Sequence, residues 1–477
     1  MTGRSTGDEF ESRVHPTQDD SVVAAVSESV GGPMGRHAAP HRFWSPVRVL
    51  LLLTALCFAV GLVQKAPCAN SLWQDGAENY NNMCYSDLPP LYYGRGLADG
   101  HWPYTDDPVV RAQFDVMEYP VGISYWAWAT AKVTRAIAPD DGTRDVAKEA
   151  RLYTAVNAVG FALLALLATW FLAGVTRRRP WDAAGFAIAP TLALTALINW
   201  DLLAVTLVAA ALWTWSRDRP VLTGVLIGLG TATKLYPLFL LGGILVICLR
   251  RLRRVDGNGD TEESDPVFDF GAVAGSAAVA WLLANAPAYI SGPAEWKVFW
   301  TFNSGRGADL GSIWLVLQQV FDHPMQPELI NKVSWLFFGA WCVGVLLIGL
   351  KAPATPRLAQ LGFLVVAGFL LINKVYSPQY VLWLLPLAAL ARPRWRDLLI
   401  WQTGEIVYFA AVWLYLGDYL APAGGGDAGF YSIATLLRIA TELYLVAIVA
   451  RDVLRQPLAE NDAPASVSKP VPPVSRS

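Results

Sequence analysis

The stretch Asp115–Val133, "DVMEYPVGISYWAWATAKV", decides the topology of the chain that carries it. Read as one more membrane crossing, it inverts the sidedness of everything after it. Read as a helix resting on the membrane surface, it leaves Glu118 at the start of that helix on the outer side, where the N-terminal helix dipole favours an acid. The pattern holds Lys132 and Arg135 among its apolar positions and places Trp and Tyr at headgroup depth, which suits an interfacial amphipathic helix. Pro120 fits the first turn of such a helix, where its missing N–H costs nothing.

Composition establishes that a membrane is involved. Of 477 residues, 54% are hydrophobic and 16% charged, against about 25% charged in soluble domains. Apolar runs of about 15 to 22 residues recur from Pro46 to Ala450, long enough to cross or nearly cross a hydrocarbon core about 30 Å thick as helices. Barrel strands would instead alternate polar and apolar residues. The fold expected is an all-α polytopic membrane protein. The net charge of −2 says little by itself, since the positions of Lys and Arg carry the information; there is no basic, aromatic-interleaved domain for nucleic acid, and no nucleic-acid partner is expected. Residues 1–44, 456–477 and the acidic insert 255–266 are rich in Gly, Ser, Asp and Pro and are expected to be unstructured, leaving 45–455 as the transmembrane domain. The first apolar run, Val47–Leu62, lies too deep in the chain and lacks a small-x-small site, so it reads as an uncleaved anchor.

Basic clusters lie at Arg42/Arg48, 176–180, 216–220, 250–254, Lys351/Arg357, 392–396 and Arg451/Arg455. Assigning all of them to the cytoplasm requires an even number of crossings between neighbours. Pairs of spans then break outward at "INWDLL" (198–203), "TKLYP" (233–237), "NKVYSPQY" (373–380) and "PAGGGDAG" (422–429). Between Arg48 and Arg177 only two crossings are allowed, and 46–63 and 151–173 supply both, so 118–137 does not span. The result is about twelve spans, both termini cytoplasmic, with large outer loops at 64–150 and 289–332 carrying interfacial helices.

Ionisable residues at the outward breaks are costly enough to suggest function. Asp201 follows "INW"; Lys234 and Lys374 share a local form, Lys, one aliphatic residue, Tyr, then Pro at once or after Ser. Two such cations can meet one phosphate from two sides, although each alone is also what a snorkelling lysine looks like. Arg306, in "FWTFNSGRGADLGSIW" (299–314), joins them as a third cation or as a helix end anchored at the headgroups. The first outer loop holds Asp87 just before "LPPLYYGRGL", where it is either a reactive acid or a helix cap. His101 in "GHWPY" touches a ligand or sits in a turn. Cys68 and Cys84 share the oxidising side and are either a disulfide or two buried thiols. There is no His/Cys spacing for a metal, no phosphate-binding glycine loop and no nucleophile elbow, so no metal or cofactor is expected.

Taken in order, the acid in the first loop, "DGHWPY", "MEYPVG", "NWDLLAV", "GTATKLYP" and "NKVYSPQYVLWLLPL" resemble the GT-C superfamily of membrane glycosyltransferases, and within it family 87, the actinobacterial polyprenyl-phosphate-mannose-dependent mannosyltransferases. The resemblance runs from about Pro46 to Ala450. It implies a GT-C-like bundle in the plasma membrane, a polyprenyl-phosphate sugar donor with mannose as the sugar, a cell-envelope glycolipid or glycan acceptor, and an outer-face active site. By position it points to Asp87 as the general base of an inverting displacement. The chain has Tyr119-Pro120-Val121 where the family usually has Tyr-Pro-Pro, and Glu118 is a second candidate for the base. Lys234, Lys374 and Arg306 would hold the donor phosphate, with His101, Tyr119, Asp201, Tyr236, Tyr376 and Gln379 near the sugar or acceptor. A transporter or lipid-linked-sugar flippase is the rival reading, since about twelve spans suits that class too.

Overall fold

Caps and prolines written in the sequence start the long helices. Ser45 caps Pro46–Asn70 (α1) by accepting from Arg48 N, and Asp145 caps Val146–Val175 (α2) by accepting from Ala147 N and Lys148 N at 3.1 and 3.2 Å. Asp265 caps Pro266–Ser291 (α3), accepting from Val267 N at 2.9 Å. Pro327–Lys351 (α4), Trp395–Leu416 (α5) and Gly429–Arg455 (α6) complete a set of six helices long and apolar enough to cross a membrane. The computed structural model of the protein describes residues 20–30, 43–138, 144–255, 265–421 and 428–455, and these form helices and turns with no strand among them.

The apolar helices Asp201–Trp215, Pro220–Thr231, Leu358–Ile372 and Pro378–Ala391 are shorter. A 15-residue helix such as Asp201–Trp215 rises only about 22 Å, so the expectation of about twelve crossings is met by length for six. The breaks at "INWDLL", "TKLYP" and "NKVYSPQY" shorten the others. Pro220–Thr231 lies tightly on α3 because Gly224 and Gly228 meet the carbonyls of Val273 and Ala277, where any Cβ would collide. Small residues four apart are the usual device for close helix approach in lipid.

Val121–Ile137 forms a 17-residue helix and is not among the helices apolar enough to span. Pro120 stands at its N-cap, one place before the first-turn position expected, and Lys132 Nζ lies 3.6 Å from the centre of the Trp128 ring. Its start is docked rather than free: Gly122 N donates to Ala232 O at 2.7 Å, and a Cβ there would strike Thr233. The "MEYPVG" segment is thereby tied to the residues just before Lys234.

Two boundaries differ from expectation. The first helix runs to Asn70 instead of ending near 63, because Gln64 and Lys65 find carbonyl acceptors in the folded loop beyond it. Within the N-terminal segment expected to be unstructured, Ser21–Val30 is a helix; Asp20 accepts from Val22 N and, with its other oxygen, from Trp395 N at 2.8 Å, docking the helix at the start of α5. Residues 1–19 and 31–42, the acidic insert at 256–264, the glycine run at 422–427 and the tail at 456–477 lie outside the described residues.

Candidate functional site

The loop after α1 folds back onto the "INWDLL" break. Ser86 Oγ donates to Leu197 O at 2.8 Å, Asp87 N donates to Ile198 O at 2.8 Å, and Asn199 Nδ2 donates to Asp87 Oδ2 at 2.7 Å. The same Asn199 amide lies 2.8 Å from the Tyr119 hydroxyl. Asp87 precedes the helix Leu88–Gly94, yet its side chain makes no capping bond; Leu88 N donates to Ser86 Oγ instead. The capping reading of Asp87 therefore fails, and its carboxylate is left to the site.

Burial pushes the Asp87 carboxyl above the ordinary carboxylate range, against hydrogen bonds from Asn199 and Tyr85 and the attraction of Lys234, while Asp201 pushes it further up. Burial, then the charges of Asp87 and Glu118, hold the Tyr119 phenol well above its usual value, and burial with Asp87 does the same to Tyr85. Both phenols stay protonated beside a carboxylate that titrates late.

Behind this carboxylate lies a buried ion pair. Lys234 Nζ is 3.3 Å from Asp201 Oδ1, which also accepts from Trp383 Nε1 at 2.6 Å. The ammonium sits 5.2 Å from the centre of the Tyr119 ring. Tyr236 and Tyr380 both stack on Trp383, with ring centres at 4.8 and 4.0 Å. Asp201 Oδ2, the Tyr236 hydroxyl and Gln379 Oε1 are buried without a hydrogen-bond partner.

Lys374 has a different setting from Lys234, despite the matching local sequence. Its Nζ donates to Asn331 Oδ1 at 2.7 Å and Ser304 O at 3.3 Å, and its backbone carbonyl accepts from Asp309 N at 2.8 Å. Burial and the neighbouring Arg306 lower the Lys374 ammonium below its usual value, as expected of cations gathered without enough anions. Arg306 is held by Asp309 in a half-exposed pair. The two lysines thus share no partner: Lys234 is committed to Asp201, whereas Lys374 groups with Arg306.

Other expected residues fall outside this centre. Glu118 is bound by both ends of the Arg95 guanidinium at 3.1 Å each. His101 closes a turn, its N–H donating to Gly96 O at 3.1 Å. The Tyr376 hydroxyl donates to Glu405, and the Arg438 guanidinium lies 3.8 Å from the centre of its ring, in a fully buried network. Asp75 and Asp107 cap short helices, and Asp99 pairs with Arg144. Cys68 and Cys84 are joined in a disulfide, while Cys57, Cys248 and Cys342 are free. Among the described residues no group of three or more His, Cys, Asp or Glu could hold a metal. Asn199, Tyr85, Lys65 and Trp383 were missed by sequence reasoning. Asn199 lay within the quoted "NWDLLAV", but nothing in a neutral amide marks it as a partner for an acid more than a hundred residues away.

Tyr119 also lines a shallow cleft with Tyr104, Trp281, Asn285, Trp296 and Trp300. The Asp87–Asn199–Tyr119 chain thus joins a buried carboxylate to this aromatic-lined cleft.

These features fit a membrane-embedded glycosyltransferase of GT-C type, and the sequence profile of glycosyltransferase family 87 matches residues 149–378. The match supports a likeness to glycosyltransferase family 87 over that part of the chain. The matched segment contains the breaks that carry Asn199, Asp201, Lys234 and Lys374, and it ends before the loop of Asp87 is reached on its N-terminal side. No curated protein matches the chain.

Proposed function

We propose that the protein transfers mannose from a polyprenyl-phosphate donor to a cell-envelope glycolipid or glycan at the outer face of the plasma membrane, by an inverting single displacement with Asp87 as general base. The observation that carries this reading is the isolation of Asp87. It is a carboxylate oriented by Asn199 with no cation at ion-pair distance among the described residues, whereas its rival Glu118 is taken up by Arg95. The acceptor hydroxyl gives its proton to Asp87 as its oxygen bonds to the anomeric carbon. The bond from that carbon to the phosphate oxygen breaks, and the electron pair leaves with the polyprenyl phosphate. A phosphodiester needs no strong general acid to leave; it needs positive charge. Lys374 and Arg306 supply it, with Lys234 acting through its pair with Asp201. The basic clusters support about twelve crossings with both termini cytoplasmic, shorter apolar segments supplying crossings beyond those of the six long helices.

The test is transfer by the purified protein in nanodiscs, supplied with radiolabelled polyprenyl-phosphate mannose and membrane glycolipids. Label moving to glycolipid from the lipid donor, and not from a sugar nucleotide, is the expected result. Transfer from the nucleotide alone, or translocation of the lipid donor in liposomes without transfer, contradicts the proposal.

A further inference from the structure

The mechanism above makes no use of Lys65, a lysine 4% exposed near the outer end of α1. Its Nζ donates to the carbonyl of Tyr85 at 2.8 Å, and no carboxylate lies within ion-pair distance of it among the described residues. Burying an ammonium against a single neutral acceptor is unfavourable unless a nearby anion compensates. The acceptor belongs to the segment that ends in Asp87.

That segment is fastened residue by residue. Met83 O accepts from Gln64 Nε2, Cys84 is bonded to Cys68 one turn beyond Lys65, and Cys84 O accepts from Trp73 Nε1 at 3.2 Å. Tyr85 O accepts from Lys65, Ser86 and Asp87 are bonded to Leu197 and Ile198, and the Tyr85 ring lies against Trp413 at 5.4 Å. Neighbouring charges decide what the ammonium does there. Asp87 is faced by Tyr85 and Tyr80 from its own loop, Lys65 from α1, Asn199 and Asp201 from the break, Lys234, Tyr119 and Tyr380. Two of these groups counting Asp87 itself are carboxylates and two are ammoniums. Lys234 is held by Asp201 at 3.3 Å, whereas Lys65, fixed to the Tyr85 carbonyl two residues before Asp87, has no ion-pair partner among the described residues.

We propose that Lys65 is the positioning residue and buried counter-ion of Asp87: anchored through the Tyr85 carbonyl, it balances the charge of the Asp87 carboxylate and fixes the segment that carries it. This rests on Asp87 being the base. Without Lys65 the site would hold two carboxylates and one cation, and Asp87 would keep its proton to higher pH.

The experiment is the pH dependence of kcat/KM for transfer from polyprenyl-phosphate mannose by nanodisc protein carrying Lys65→Met, Lys65→Gln or Lys65→Arg. Gln retains a donor for the Tyr85 carbonyl and serves if Met fails to fold. Expected is an acid limb moved upward by about one pH unit or more in Met and Gln, a roughly tenfold loss at the foot of the limb, recovery at higher pH, and a wild-type limb in Arg. An unmoved limb in Gln, whatever its kcat, reduces Lys65 to a brace. A raised donor KM with an unmoved limb makes it a phosphate ligand instead, and either result overturns the proposal. Full activity of Asp87→Asn would sink the base assignment separately; inactive Asp87→Asn with an unmoved Lys65→Gln limb sinks this inference alone.

Discussion

Asn199 Nδ2 stands 2.7 Å from Asp87 Oδ2, across a sequence separation of 112 residues, and 2.8 Å from the Tyr119 hydroxyl. One amide therefore holds together the loop after α1, the "MEYPVG" segment and the break that leads to Asp201. Because burial outweighs the groups that favour ionised Asp87, kcat/KM in the wild type is expected to fall as pH drops through a value above the ordinary carboxylate range. Asn199→Asp keeps the shape but removes the donor and adds a like charge, which disfavours ionisation of Asp87. Its acid limb should lie higher still, with loss at neutral pH. A limb at the ordinary carboxylate position in both proteins would contradict this arrangement.

Lys234 and Lys374 should respond differently to removal. Lys234→Ala leaves Asp201 fully buried with only Trp383 to satisfy it, and breaking a buried pair this way costs about 3–5 kcal/mol. A large drop in thermal stability of the solubilised protein is expected. Lys374→Ala removes a half-buried cation beside Arg306 and should cost about 1 kcal/mol or less in stability, as exposed charge contacts do, while raising the donor KM. The reverse pattern would show that the roles of the two lysines have been exchanged.

The sidedness of the first outer loop is checked by cysteine labelling in a background lacking Cys57, Cys248 and Cys342. Lys148→Cys, at the start of α2 and 70% exposed at its side chain, should react with an impermeant maleimide from outside, and Arg177→Cys only after the membrane is opened. Labelling of Lys148→Cys from the cytoplasm would mean that Val121–Ile137 crosses the membrane.

Much of this was legible in the sequence because single-residue chemistry announces it. Long apolar runs, basic clusters, Pro46, Pro266 and the Asp caps mark the helices. Asp87, Lys234 and Asp201 are ionisable groups where a bilayer makes charge expensive. What the sequence concealed are relationships. Lys234 and Lys374 look alike over four residues and differ because one meets Asp201 and the other Asn331. Tyr376 looked exposed to the site by its place in "NKVYSPQY", but folding turns its hydroxyl to Glu405 in the core. Helix Ser21–Val30 was hidden in a polar segment because its docking depends on Trp395, far along the chain.

The central claim is that Asp87 removes the acceptor proton, and a paired substitution tests it. Asp87→Asn keeps the volume of the side chain and loses no capping bond, since none is made. Removal of a general base commonly costs about 10² to 10⁴ in rate. Glu118→Gln only weakens the clasp of Arg95 and should retain most of its turnover. Single-turnover transfer from radiolabelled polyprenyl-phosphate mannose, with donor binding measured in parallel, is the decisive measurement. The account predicts that Asp87→Asn binds donor as the wild type does and transfers at least about a hundredfold more slowly; near-normal transfer by Asp87→Asn together with an inactive Glu118→Gln would contradict it.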